Sequence, residues 1–121
     1  MAEALLLPTI FESCGLPVLE AMAAGCPVVT ADRYGTKELA EGAAVLVEPE
    51  SVESIADGIR RALDDTALRA ELIAAGRVRS ENFTWRRCAT ETLAVLERVE
   101  SKPRAGRAAR VHSASAARAP S

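Results

Sequence analysis

The chain has 121 residues, 49% of them hydrophobic and only 3% aromatic, which suffices for a modest core and one domain at most. Its formal net charge of −2 hides a split, because Lys102, Arg104, Arg107, Arg110 and Arg118 follow residue 100 with no acid among them. The first hundred residues therefore carry −7 and no basic surplus for nucleic acid, while Cys14, Cys26 and Cys88, odd in number and without a CxxC pair, point to a reduced cytoplasmic protein.

Residues 4–7 are a continuous apolar run halted by Pro8, the pattern of a parallel strand buried on both faces. The run is too short for a signal peptide, Glu3 replaces the expected positive start, and no segment reaches the length of a membrane span. Residues 8–13 read as the loop at the strand's carboxyl end, 16–24 as a helix and 27–30 as a second strand. Pro17 suits a helix start, because its fixed φ is already helical and its missing N–H would have been unpaired there. Gly25 suits the left-handed residue after a helix, and Pro27 prevents continuation.

Residues 31–37 read as a second polar loop, 38–41 as a short helix ended by Gly42, and 43–47 as a third strand. Strands alternating with helices predict an α/β fold with a doubly wound parallel sheet, in which ligands sit outside the carboxyl ends of the strands. Glu12 and the 31–37 loop fall at that edge. Beyond Pro49, Ser51 is a good N-cap with Glu53 in the first turn, and Val52, Ile55, Ala56, Ile59 and Leu63 share one helical face that packs on the sheet. A helix over 66–81 is expected to turn Leu68, Leu72 and Ile73 inward and Arg69, Arg77 and Arg79 outward. A last helix starts at Phe83-Thr84-Trp85 and runs to about residue 100, with Trp85, Cys88, Ala89, Thr92, Leu93 and Leu96 as its apolar stripe. From residue 101 the composition shifts to Ala, Arg, Ser, Gly and Pro, so 101–121 is expected to be a disordered basic tail.

The chemistry concentrates at the first helix. Gly15 is expected to let a ligand approach the first backbone N–H groups, which point outward with the positive end of the helix dipole and make an anion site. Glu12 before the turn and Glu20 in the first two turns place a carboxylate on either flank, and carboxylates accept hydrogen bonds from sugar hydroxyls.

The run F-E-S-C-G-L-P-V-L-E-A-M-A-A-G-C-P-V-V closely resembles the E-x7-E signature of retaining, nucleotide-sugar-dependent glycosyltransferases of GT-B architecture, family 4, often labelled "group 1". Cys14 stands where that family usually has an aromatic residue. Gly35-Thr36-Lys37-Glu38 is similar to the family's G-G-x-x-E loop, residues 43–49 to its following strand, and Phe83-Thr84-Trp85 to the start of its last helix. The resemblance covers residues 4 to 100 and implies part of a Rossmann-like, nucleotide-sugar-binding domain over residues 1–100, the carboxyl-terminal half of the donor-binding domain.

By this resemblance Glu12, the catalytic candidate, meets hydroxyls of the donor sugar, and Glu20 meets the ribose of the nucleotide. The N–H groups of Cys14, Gly15 and Leu16 hold the pyrophosphate and stabilise the departing nucleoside diphosphate. The nucleotide sugar is a substrate, so no cofactor is implied. The partners implied are the donor, an acceptor that is a sugar, lipid or small molecule, and a missing N-terminal domain. A membrane surface for the basic tail is a weaker reading than simple solvation. Cys14 reads as a small apolar substitute, and Cys26 and Cys88 as core residues. Arg33 and Lys37 read as solvated loop cations, Glu38 as a helix-start residue, and the lone His112 as no metal ligand. The alternative to an enzyme is a non-catalytic nucleotide-sugar-binding or interaction remnant of a truncated glycosyltransferase gene. An open edge at residues 4–7 is also expected, and with it poor solubility and no sugar transfer by the chain alone.

Overall fold

The computed structural model describes residues 2–101; the expected tail and His112 lie outside the described residues. The chain divides between Arg87 and Cys88 into two compact units. The first holds three strands, β1 (Leu5–Leu7), β2 (Val28–Ala31) and β3 (Val45–Val47), and four helices. The helices are α1 (Leu16–Ala23), α2 (Tyr34–Ala40), α3 (Val52–Asp64) and α4 (Thr66–Glu81). A fifth helix, α5 (Trp85–Glu100), begins in the first unit and makes up the described part of the second.

The sheet is parallel in the order β1-β2-β3, with Leu5, Leu6 and Leu7 opposite Val28, Val29 and Thr30. All four residues of β2 are buried, as a central strand covered on both faces requires. Alternation of side chains then makes two cores. On one face Val28 packs with Val18 and Met22 of α1 and Ala40 of α2; on the other Val29, Val45 and Val47 pack with Ala62 of α3 and Leu72 of α4. This is the predicted α/β architecture, with β-α-β crossovers and helices on both faces.

The helix ends show why these residues stop where they do. After α1, Cys26 N–H donates to the Ala21 carbonyl and Gly25 N–H to that of Met22, the paired bonds of a Schellman end, with Gly25 at φ 72°. Ser51 caps α3 by accepting from Ser54 N–H at 3.1 Å, and Asp65 caps α4 by accepting from Leu68 N–H at 2.9 Å. Thr84 does the same for α5 with Arg87 N–H at 3.1 Å.

Several expectations are corrected. The second helix starts at Tyr34, not at residue 38, because the Thr36 hydroxyl donates to the carbonyls of Arg33 and Ala31 and closes the first turn early. Arg79 does not point outward: its Nε donates to the Leu39 carbonyl at 2.9 Å, and its guanidinium lies over the Phe83 ring, 5.2 Å from the centroid. It thereby satisfies an end carbonyl of α2 from forty residues away. Cys88 is exposed and Cys26 half-buried, so neither is a core residue. No residue of α5 is buried, and Trp85, Leu93 and Leu96 of the expected stripe are all exposed.

Two glycines inside helices set how closely the layers approach. A Cβ on Gly76 of α4 would lie 3.1 Å from Met22 Cγ of α1, and one on Gly58 of α3 would lie 2.4 Å from Val47 Cγ1. Alanine at 58 gains about 1 kcal/mol of helix propensity. At 2.4 Å from Val47 and 3.2 Å from Val29 the overlap falls in the upper part of the overpacking range, about 2–3 kcal/mol, and outweighs it. Gly58→Ala is therefore expected to lower unfolding free energy by about 1–2 kcal/mol in a denaturant titration, and an unchanged or raised midpoint would show that α3 has room to move off the sheet.

Among the described residues β1 pairs on one side only, with β2, and Leu6 at its centre is 47% exposed. An unpaired edge beside an exposed leucine templates association. Residues 1–121 expressed alone are expected to elute above monomer mass in size-exclusion chromatography with light scattering, and Leu6→Lys to shift them toward monomer. A monodisperse wild-type monomer would contradict this.

Candidate functional site

The carboxyl ends of β1 and β2 open onto two segments, residues 8–15 and 32–35, which meet through their backbones. Gly35 N–H donates to the Glu12 carbonyl at 3.2 Å. A Cβ on Gly35 would lie 2.3 Å from the Ser13 carbonyl oxygen and 2.7 Å from its carbon, so glycine is required for this approach. Tyr34 just before it holds φ 47°, the only non-glycine residue with positive φ among those described. That conformation costs a non-glycine residue roughly 1–2 kcal/mol.

Gly15 turns the chain into α1. It is buried, with φ 64° and ψ 40°, and a Cβ there would face Thr36 Cγ2 at 3.2 Å and Leu39 Cδ1 at 3.6 Å. The left-handed φ favours glycine here by itself, and α2 behind it leaves a Cβ little room. Pro17 takes the second helical position after Leu16, and no side chain caps the start. Among the described residues, the N–H groups of Cys14, Gly15 and Leu16 have no hydrogen-bond acceptor. They are left as orphan donors at the positive end of the helix dipole.

Glu12 is half-buried, and its Oε1 accepts from Ser13 N–H at 3.1 Å, which fixes the carboxylate beside the turn. Glu20 is exposed in the second turn of α1, and Cys14 is exposed at its start. The five predicted site residues therefore lie on one continuous piece of chain, the loop after β1 and the first two turns of α1. The chemistry available there is recognition of an anion by N–H groups and of hydroxyls by two carboxylates.

The cations nearby are already engaged. Arg33 pairs with Glu48 and, at 2.9 Å, with Glu50, which raise its pKa, and Lys37 Nζ sits 2.7 Å from Asp32, whose hydrogen bond and charge raise its pKa. Both stay protonated at neutral pH, with their charge turned to protein carboxylates. Sequence reading left these pairs out, since Glu48 and Glu50 approach Arg33 only once β3 lies beside β2. Among the described residues no group of three or more His, Cys, Asp or Glu is placed to hold a metal ion. No helix among them is long and apolar enough to cross a membrane.

The fold and this edge define an α/β domain of Rossmann-like type, with its exposed helix start at the carboxyl side of the sheet. The family model described as "Glycosyl transferases group 1" matches residues 1–79, and the chain belongs to that family. It is 33% identical over 92 residues to the O-antigen chain mannosyltransferase B of Escherichia coli, covering 76% of this chain and 24% of that protein. It is 38% identical over 100 residues to the D-inositol 3-phosphate glycosyltransferase of Jonesia denitrificans, covering 81% and 24%. Among solved structures it superposes on sucrose-phosphate synthase from Thermosynechococcus elongatus with a TM-score of 0.71 and 30% identity, covering 81% of this chain and 25% of the synthase. The chain thus spans about a quarter of the length of these relatives.

Proposed function

We propose that residues 1–100 are part of the donor-binding domain of a retaining, nucleotide-sugar-dependent GT-B glycosyltransferase of family 4, and that residues 12–20 are its E-x7-E motif. The observation that carries this reading is the start of α1, where left-handed Gly15 leaves three unpaired N–H groups beside the fixed carboxylate of Glu12, with Glu20 following in the helix. The N–H groups of Cys14, Gly15 and Leu16 receive the diphosphate, Glu20 accepts from a ribose hydroxyl, and Glu12 accepts from hydroxyls of the sugar being transferred. Stabilising the diphosphate as it leaves is the catalytic contribution of the helix start. No cofactor is required by this scheme, since the nucleotide sugar is a substrate. An acceptor and a further domain complete the reaction in this reading, and the relatives extend well beyond the quarter of their length that this chain spans. The non-catalytic remnant shares the binding step and lacks the transfer.

Binding of UDP, GDP or ADP, followed by isothermal titration and by thermal shift, tests the reading. One of them is expected to raise the melting temperature, and Glu20→Ala to weaken it by about 10- to 150-fold, the equivalent of one charged hydrogen bond of about 1.5–3 kcal/mol. Equal affinity in wild type and Glu20→Ala would remove Glu20 from the site.

A further inference from the structure

Phe11 and Tyr34 stand on the two segments that meet at the carboxyl edge of the sheet, one directly before Glu12 and the other directly before Gly35. Their rings pair at a centroid distance of 5.3 Å and an interplanar angle of 59°. An aromatic pair that serves stability is buried, since its contribution scales with the apolar area taken from water. This pair does the opposite: Phe11 is 71% exposed and Tyr34 63% exposed. Tyr34 also holds its left-handed backbone without being glycine, and the Gly35-to-Glu12 backbone bond ties its segment to the one that carries Phe11. The pair is thus preassembled and open, with Phe11 next in the chain to a carboxylate suited to sugar hydroxyls.

We propose that Phe11 and Tyr34 form a stacking platform for a pyranose ring. The π-face of an aromatic ring is negative and the axial C–H bonds of a pyranose are weakly positive, so the apolar face of a sugar settles on such a surface while its hydroxyls reach outward. With the rings tilted by 59°, a pyranose that stacks on the face of one meets the other at an angle, as a side wall. Glu12 at the rim accepts from a hydroxyl of the same sugar. This rests on the glycosyltransferase reading of the site, and the ring is supplied either by the acceptor or by the donor.

The test is saturation-transfer NMR on the full chain with three probes: methyl α-mannopyranoside, methyl α-glucopyranoside and GDP-mannose. Wild type is expected to transfer saturation from aromatic protons to the sugar C–H protons, and Phe11→Leu/Tyr34→Gly to bind about tenfold more weakly or worse. Tyr34→Gly relieves the left-handed strain, so the double variant is expected to keep its melting temperature within a few degrees. Saturation of a free glycoside assigns the ring to the acceptor, and saturation of the hexose of GDP-mannose that is lost in the double variant while the nucleoside signals persist assigns it to the donor; both uphold the platform. No saturation of any sugar in wild type, equal saturation in the double variant, or saturation of the guanine alone overturns it. A pair that merely fastens the two loops would lower the melting temperature on replacement and leave glycoside binding unchanged. Failure of the donor-site reading is distinct, since it appears as no response to free nucleoside diphosphate whatever the glycosides do.

Discussion

Gly35→Ala is expected to weaken nucleoside diphosphate binding about 100-fold while leaving the sheet and the long helices intact. The substitution looks mild, and in the interior of a helix alanine is ordinarily the better residue. Here its Cβ would fall 2.3 Å from Ser13 O and 3.0 Å from Glu12 O, both backbone atoms with no rotamer to escape into. Either α2 withdraws, which breaks the Gly35 N–H bond to Glu12, or residues 12–13 shift and carry the start of α1 with them. A displacement of about 1 Å at a binding constellation costs on the order of 100-fold, so diphosphate affinity should fall by about that factor. The accompanying loss of stability should be about 1–3 kcal/mol, the cost of overpacking. Titration calorimetry with circular dichroism separates the two effects. Native affinity in Gly35→Ala would mean that the 12–13 segment is not part of the site.

Glu12→Ala, made in a full-length enzyme that carries this chain, is expected to lower turnover about 10- to 150-fold, the loss of a charged hydrogen bond of about 1.5–3 kcal/mol. Affinity for free nucleoside diphosphate should change little, because Glu12 is assigned to the sugar and the helix start to the phosphates. A fall in kcat with the donor's KM unchanged marks an interaction made in the transition state, whereas a raised KM at unchanged kcat marks one already made with the bound sugar. Glu12→Gln keeps an acceptor for Ser13 N–H and hence the loop geometry, so comparing the two variants separates loss of the charge from loss of the turn. Near-normal turnover in Glu12→Ala would reduce it to an ordinary loop residue.

What sequence reading captured were features decided by neighbours in the chain. The Gly25 end of α1, the Ser51 cap of α3 and the limits of α4 depend on residues within five positions, and each has a specific chemical preference. The start of α2 was missed because Tyr34 and Gly35 are poor helix formers, and the Thr36 hydroxyl bonds that offset this are not a matter of propensity. Arg79 was placed outward because its partner carbonyl belongs to α2, and only packing of α4 against α2 brings it within reach. Gly58 and Gly76 were passed over because their role is the absence of a Cβ at a contact between layers. At the site, the motif names residues 12–20 but not what packs around them. The contact of Gly15 with α2 and the pairing of Arg33 and Lys37 with carboxylates depend on elements that follow in the chain, α2, β3 and the 31–33 turn.

The central claim is that a nucleoside diphosphate sits on the backbone N–H groups at the start of α1. It is tested most directly by amide chemical shifts of the 15N-labelled chain during titration with UDP, GDP and ADP. One of these is expected to move Cys14, Gly15 and Leu16 furthest and downfield, as N–H groups do on donating to phosphate, with Glu20 shifting in the same saturable step. Unmoved amides at residues 14–16, or shifts centred on another part of the chain, would contradict it.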